Sequence, residues 1–143
     1  MPKQILLIDD EPAICRFTKL NLERTGEYVV TIASSGEEGL EKAGATQFDL
    51  VITDYRMPGL DGRAVLEKLK ATRPDCPVVL FSIYHDDNSR ISREIERKAD
   101  GLISKPIDHE QLYRTIREAL EKRSGKSQEK EGGTDGQNLR RGG

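Results

Sequence analysis

Residues 50–54 read Leu50-Val51-Ile52-Thr53-Asp54. The run is short, rich in β-branched side chains and nearly continuous in its apolar character. That pattern suits a strand buried on both faces. It ends on a carboxylate. Similar runs recur at 5–8, 28–33, 78–81 and 102–103. Between them lie charged stretches with apolar residues at helical spacing. Ile14 and Phe17 begin the first stripe, and Ala64, Val65, Leu66 and Leu69 form another. Ile91, Ile95 and Ala99 follow, and Leu112, Ile116, Ala119 and Leu120 close the series. Ser35-x-x-Glu38 and Asp108-x-x-Gln111 read as capping boxes at helix starts. Five β units and five α units therefore alternate. Strict alternation implies an α/β fold, a parallel sheet with helices on both faces.

A chain of 143 residues is one domain with a real core. Charged residues make up 34% and hydrophobic residues 35%, a globular balance. No apolar run approaches the roughly 18 residues of a membrane helix, so no membrane insertion is expected. Pro2, Lys3 and Gln4 lead straight into a strand-like run, with no signal-peptide pattern. Cys15 and Cys76 form no CxxC pair and no metal-spaced set, which suits reduced thiols and a cytoplasmic location. The net charge of −2 argues against nucleic acid as a partner.

Residues 122–143 differ from the rest. They hold six glycines, six basic and three acidic residues, and Leu139 as the one large apolar side chain. Such a segment cannot bury enough apolar surface to offset its ordering entropy. The expected organisation is a domain over 1–122 and a disordered tail over 123–143, with no output domain.

In an open α/β sheet, ligands bind outside the carboxyl ends of the strands. The first strand runs into Asp9-Asp10-Glu11, the third into Asp54, the fourth into Ser82 and the fifth into Ser104-Lys105-Pro106. Any one of these is most often a turn former or cap. Four strand ends agreeing is a much stronger signal. Three carboxylates held ~5 Å apart repel by about 3 kcal/mol per pair at an effective dielectric of ~20. One lysine does not balance that, and a divalent cation would. The donors are hard oxygens, which points to Mg²⁺ or Mn²⁺. Ser82 and Lys105 suit a phosphoryl group, and a carboxylate can itself be the nucleophile.

The combination Ile8-Asp9-Asp10-Glu11, Asp54-Tyr55-Arg56-Met57-Pro58-Gly59-Leu60-Asp61-Gly62, Leu80-Phe81-Ser82 and Lys105-Pro106 resembles the receiver domain of bacterial two-component response regulators. The resemblance covers about residues 3–121. It implies a flavodoxin-like, doubly wound, five-stranded parallel sheet of order 2-1-3-4-5 with five helices. It implies that Asp54 is the phosphoacceptor for a sensor histidine kinase or phosphotransfer protein. Asp10, Asp54 and the backbone carbonyl of Arg56 match the direct Mg²⁺ ligands, and Asp9 acts on the metal through water. Ser82 and Lys105 match the groups that contact the phosphoryl oxygens. Pro106 matches a proline that aims the lysine. The implied role is a phosphorylation-dependent switch, not a turnover enzyme. Its helix 4–strand 5–helix 5 surface, residues 87–121, would bind an unidentified downstream protein, a second copy as a homodimer, or relay phosphate onward.

Two positions depart from the family pattern. Ile83 stands where a small residue usually follows the hydroxyl, and would narrow access to Asp54. Leu102 stands where the family carries an aromatic ring that swings inward behind the hydroxyl. Tyr84 is the alternative ring nearby. These departures support a second reading, a pseudo-receiver adaptor that binds partners independently of phosphorylation.

Overall fold

The structure is a computed structural model of the chain, in which residues 1–82, 93–104 and 108–132 are described, with side chains as far as 122. Ile83, Tyr84, Lys105 and Pro106 lie outside the described residues, as does 133–143.

The elements alternate as the periodicity predicts: β1 Lys3–Ile8, α1 Pro12–Glu23, β2 Tyr28–Ala33, α2 Gly36–Ala45, β3 Leu50–Asp54, α3 Gly62–Thr72, β4 Val78–Ser82, α4 Arg93–Lys98, β5 Gly101–Ser104 and α5 His109–Gly132. The strands form one sheet of order β2-β1-β3-β4-β5, and every neighbouring pair is parallel. The fold is thus the doubly wound, flavodoxin-like sheet with five helices. The register places Ile8 beside Thr53, Asp54 beside Phe81, and Ser82 beside Ser104. The carboxyl ends of four strands therefore reach the same rim.

The period of two along each strand divides the core into two layers. Ile5, Leu7, Ile52, Val79, Phe81 and Ile103 point to the face covered by α1 and α5. Leu6, Ile8, Val51, Val78, Leu80 and Leu102 point to the face covered by α2, α3 and α4. Gly39 brings α2 close to β1, since a Cβ there would run into the Ile8 side chain.

The starts of α2, α3 and α5 use side-chain caps. Ser35 accepts the Glu38 N–H at 3.0 Å, while Glu38 reaches back to the N–H of Ser34 at 2.7 Å, one residue earlier than the simple capping box predicts. Asp108 accepts the Glu110 N–H at 3.0 Å. Asp61, read only as part of the loop motif, caps α3 by accepting the Ala64 N–H at 3.0 Å. Each such cap contributes roughly 1 kcal/mol.

One expectation needs correction. Helix α1 does not bury the Ile14–Phe17 stripe: Cys15, Thr18, Asn21 and Leu22 face inward, and Phe17 is 46% exposed. Small side chains at 15 and 18 let the helix lie close to the sheet. Phe17 instead packs sideways on His109 of α5, ring centroids 5.3 Å apart. Helix α5 runs from His109 to Gly132. Glu, Lys, Gln and Arg dominate its last turns, and all are good helix formers without an apolar face. Cys15 and Cys76 are thiols, not joined in a disulfide, and the buried Cys15 Sγ donates to Asp9 O at 3.3 Å. Among the described residues, no helix is long and apolar enough to cross a membrane.

Candidate functional site

The rim formed by the ends of β1, β3, β4 and β5 carries Asp9, Asp54, Ser82 and Ser104; Lys105 and Pro106 lie outside the described residues. Asp9 follows β1 directly and is fully buried. Its N–H donates to Ala33 O at 3.1 Å, which extends the β1–β2 ladder by one residue and fixes its backbone. Asp54 is the last residue of β3 and Ser82 the last of β4, each 7% exposed. Because Asp54 is registered with Phe81, Ser82 stands one residue further out than the carboxylate. Ser104 closes β5 beside Ser82, so the next residue along the chain is Lys105.

The carboxylates brought together are those of Asp9, Glu11 and Asp54, with one oxygen of each within 4.8 Å of the others. Asp10, to which the family resemblance gives a direct metal role, is exposed and outside this group. The reason is local. The strand alternation continues through Asp9, turning it inward and Asp10 outward. The Glu11 N–H then donates to Asp9 Oδ1 at 3.0 Å, folding the chain back over the rim. Glu11 has no assigned role in the family resemblance, and its place in the run Asp9-Asp10-Glu11 is the sequence signal that points to it.

The loop after β3 is held just as tightly. Tyr55 N–H donates to Phe81 O at 2.9 Å, and Gly62 N–H donates to Tyr55 O at 2.8 Å. Buried Thr53 donates its hydroxyl to Asp54 O at 3.0 Å. Gly59 sits at φ +75°, in the left-handed region that glycine enters at low cost. Arg56 lies on this loop with its side chain exposed, and Met57 turns into the core. Leu102 is half-buried on the α2–α3–α4 face beside Leu80, its register partner.

Three carboxylates this close repel one another by about 3 kcal/mol per pair at an effective dielectric of ~20. Two of them, Asp9 and Asp54, are almost wholly removed from water. The set offers only hard anionic oxygens, the donor chemistry of a small divalent cation such as Mg²⁺. A site of this kind commonly leaves positions for phosphate oxygens, and the Ser82 hydroxyl lies on the same rim.

A parallel sheet of order β2-β1-β3-β4-β5 with an acidic rim at its carboxyl ends is an arrangement shared by a known class of signalling domains. Comparison with known proteins places the chain within it. The response regulator receiver domain family matches residues 5–117, and the chain belongs to that family. It is 32% identical over 120 residues to the transcriptional regulatory protein GlrR of Escherichia coli, covering 84% of this chain and 27% of the relative. It is 38% identical over 109 residues to the transcriptional activator protein PfeR of Pseudomonas aeruginosa, covering 76% of this chain and 35% of the relative. The chain thus spans about a quarter to a third of these two relatives. Among solved structures, a CheY-like receiver domain protein from Methanospirillum hungatei superposes with a TM-score of 0.77 at 32% identity, covering 88% of this chain and 99% of that one. A receiver domain from Clostridium thermocellum gives 0.75 at 31% identity, with 85% and 97% covered.

Proposed function

We propose that the domain is a phosphorylation-dependent signalling switch in which Asp54 is the phosphoacceptor. The observation that supports this most is the placement of Asp54: buried at the carboxyl end of β3, with the Asp9 and Glu11 carboxylates within 4.8 Å. A carboxylate oxygen of Asp54 attacks phosphorus of a phosphohistidine on a sensor kinase or phosphotransfer protein. The P–N bond breaks, and the leaving imidazole keeps the electron pair and takes up a proton. Asp9, Glu11 and Asp54 would hold Mg²⁺, with Asp10 and the Arg56 carbonyl added by the family resemblance. The ion supplies charge neutralisation for the carboxylates and the incoming phosphoryl oxygens. The Ser82 hydroxyl donates to a phosphoryl oxygen after transfer, and Lys105 pairs with another.

The chain catalyses only its own phosphorylation and dephosphorylation and does not turn over a substrate. Its setting is cytoplasmic, and its output is protein binding through residues 87–121, to a downstream protein or a second copy. A pseudo-receiver adaptor is the alternative reading. Leu102 favours it, because a half-buried leucine packed beside Leu80 has no ring to rotate inward behind Ser82.

Incubation with acetyl phosphate and Mg²⁺, followed by intact mass measurement, tests the proposal. The expected product carries one added phosphoryl group, absent from Asp54→Asn. Full labelling of Asp54→Asn would overturn the assignment.

A further inference from the structure

Strand β2 ends the sheet on one side, yet it carries none of the usual protections of an edge within itself. Its sequence Tyr28-Val29-Val30-Thr31-Ile32-Ala33 has no charge, no proline and no glycine. Six-residue β-branched segments of that kind are the ones most prone to add another strand. Val29 is 38% exposed on it.

The parallel ladder fixes which groups face outward. Lys3 N–H donates to Glu27 O, and Asp9 N–H donates to Ala33 O. Residues bonding one neighbour alternate in a parallel pair. Positions 27, 29, 31 and 33 therefore bond β1, while Tyr28, Val30 and Ile32 turn their N–H and C=O groups to the open edge. Charged side chains take three of those groups. Val30 N–H donates to Glu23 Oε2 at 2.9 Å. Lys19 Nζ donates to Val30 O at 2.6 Å and also to Glu23 Oε2 at 3.0 Å. Lys42 Nζ donates to Ile32 O at 2.9 Å. Lys19 and Glu23 come from α1 on one face of the sheet, and Lys42 comes from α2 on the other. The edge is clamped from both sides.

We propose that Lys19, Glu23 and Lys42 form an edge guard that keeps β2 from pairing with β2 of a second copy. Pairing needs the outward groups of Val30 and Ile32, and the guard already holds them. Helical side chains can supply what the strand lacks because both helices pack directly beside it. Burial of Tyr28 and Val30 in the core fixes the strand's own composition, so a charge or proline at those positions would cost core packing. The protection has to come from elsewhere.

The test compares the full chain with K19A/E23A/K42A and with K19R/E23Q/K42R, which keeps the donors and an acceptor. Sedimentation over a concentration series reads association, and amide hydrogen exchange reads where it occurs. Each freed edge group can form an intermolecular hydrogen bond, so the alanine variant is expected to self-associate at least about tenfold more tightly than the parent. Exchange at Tyr28, Val30 and Ile32 should slow as its concentration rises. The conservative variant should associate no more than the parent does. A folded alanine variant that sediments as the parent does would overturn the proposal. So would association that leaves those three amides unchanged, or equal association by the conservative variant. If the triple variant does not fold, K19A and K42A are measured singly. Concentration-dependent protection of the same amides in either one supports the guard, and its absence in both overturns it.

Discussion

A Cβ added to Gly62 would lie 2.5 Å from the carbonyl oxygen of Asp54 and 2.6 Å from the Cα of Tyr55. The start of α3 is therefore pressed against the backbone of the residue proposed to accept phosphate. Any side chain at 62 displaces either the helix or the acceptor. Gly62→Ala is expected to cost about 1–3 kcal/mol, in the range of overpacked sites, and to slow labelling by acetyl phosphate. Denaturant titration and the labelling rate, measured together, check it. Parent-like values for both would mean that the loop yields without moving Asp54.

The acidic group carries an opposing pair of effects. Without a cation, Asp9, Glu11 and Asp54 repel across less than 5 Å. Glu11→Gln removes one charge from the set. Because Glu11 is exposed, the gain in metal-free stability should be only about 1 kcal/mol. Mg²⁺ affinity should fall severalfold. Thermal melts with and without Mg²⁺ read both effects. Unchanged affinity in Glu11→Gln beside a large loss in Asp10→Asn would assign the ion to the other carboxylate.

Ser82 stands one step of register beyond Asp54, and in the proposed function its hydroxyl contacts the phosphoryl group without being needed for its transfer. Ser82→Ala should leave labelling within about threefold of the parent, because a lost hydrogen bond of this kind is worth roughly 0.5–1.5 kcal/mol and not the nucleophile itself. The response of residues beyond the site should weaken. Amide chemical shifts of the phosphorylated variant measure that response.

At the opposite pole, Asp100 ties three elements together. Its Oδ2 accepts from Lys70 Nζ at 2.6 Å and from Val78 N–H at 2.9 Å, and the Asp100 side chain is 11% exposed. Asp100→Ala leaves the half-buried Lys70 ammonium without its carboxylate, though still donating to Cys76 O at 3.3 Å, and removes the acceptor of the Val78 N–H. A loss of about 2–3 kcal/mol in unfolding free energy is expected. Labelling at Asp54 should not change once the protein is folded, since these contacts lie at the other ends of the strands.

The acid limb of stability has identifiable contributors. The backbone N–H of Val30 and then the Lys19 ammonium hold the Glu23 carboxyl below the ordinary glutamate value of 4.5. The Ser34 N–H and hydroxyl do the same for Glu38. A carboxylate depressed in the folded state adds stability that is fully present above its unfolded value. That stability is lost as pH falls through the lower folded one. Glu23→Gln and Glu38→Gln should therefore be less stable than the parent near neutral pH. The gap should close as pH falls through the lowered folded-state values, where the carboxylates protonate in either state. Denaturant titrations across pH 3–7 check the sign, and a gap that widened on acidification would contradict it.

Much of this was legible in the sequence because the signals were redundant. Five short β-branched runs alternating with helical stripes leave few topologies, and the observed strand bounds differ from the runs by a residue or two. The rim was legible because carboxyl strand ends share one side of a parallel sheet, so Asp9, Asp54 and Ser82 could be grouped without coordinates. Finer choices were not. Which carboxylate of Asp9-Asp10-Glu11 turns inward depends on where the strand pleat stops and on the Glu11-to-Asp9 hydrogen bond. The inward face of α1 depends on small residues that carry little hydrophobic signal, Cys15 and Thr18, with Phe17 diverted to His109. The edge guard was invisible because its partners are backbone groups of a neighbouring element, which leave no mark in the side-chain pattern.

The central claim is that Asp54 is coupled to a signalling surface. An amide NMR titration with Mg²⁺, then with beryllofluoride as a phosphoryl mimic, tests it most directly, with Asp54→Asn beside it. The switch account predicts that Mg²⁺ shifts amides near Asp9, Glu11 and Asp54. Beryllofluoride should then shift residues 82–121 in slow exchange, and the Asp54→Asn protein should show no second step. Binding of beryllofluoride that perturbs the rim and nothing beyond it would contradict the account and leave the adaptor reading, with Leu102 as the break in the coupling.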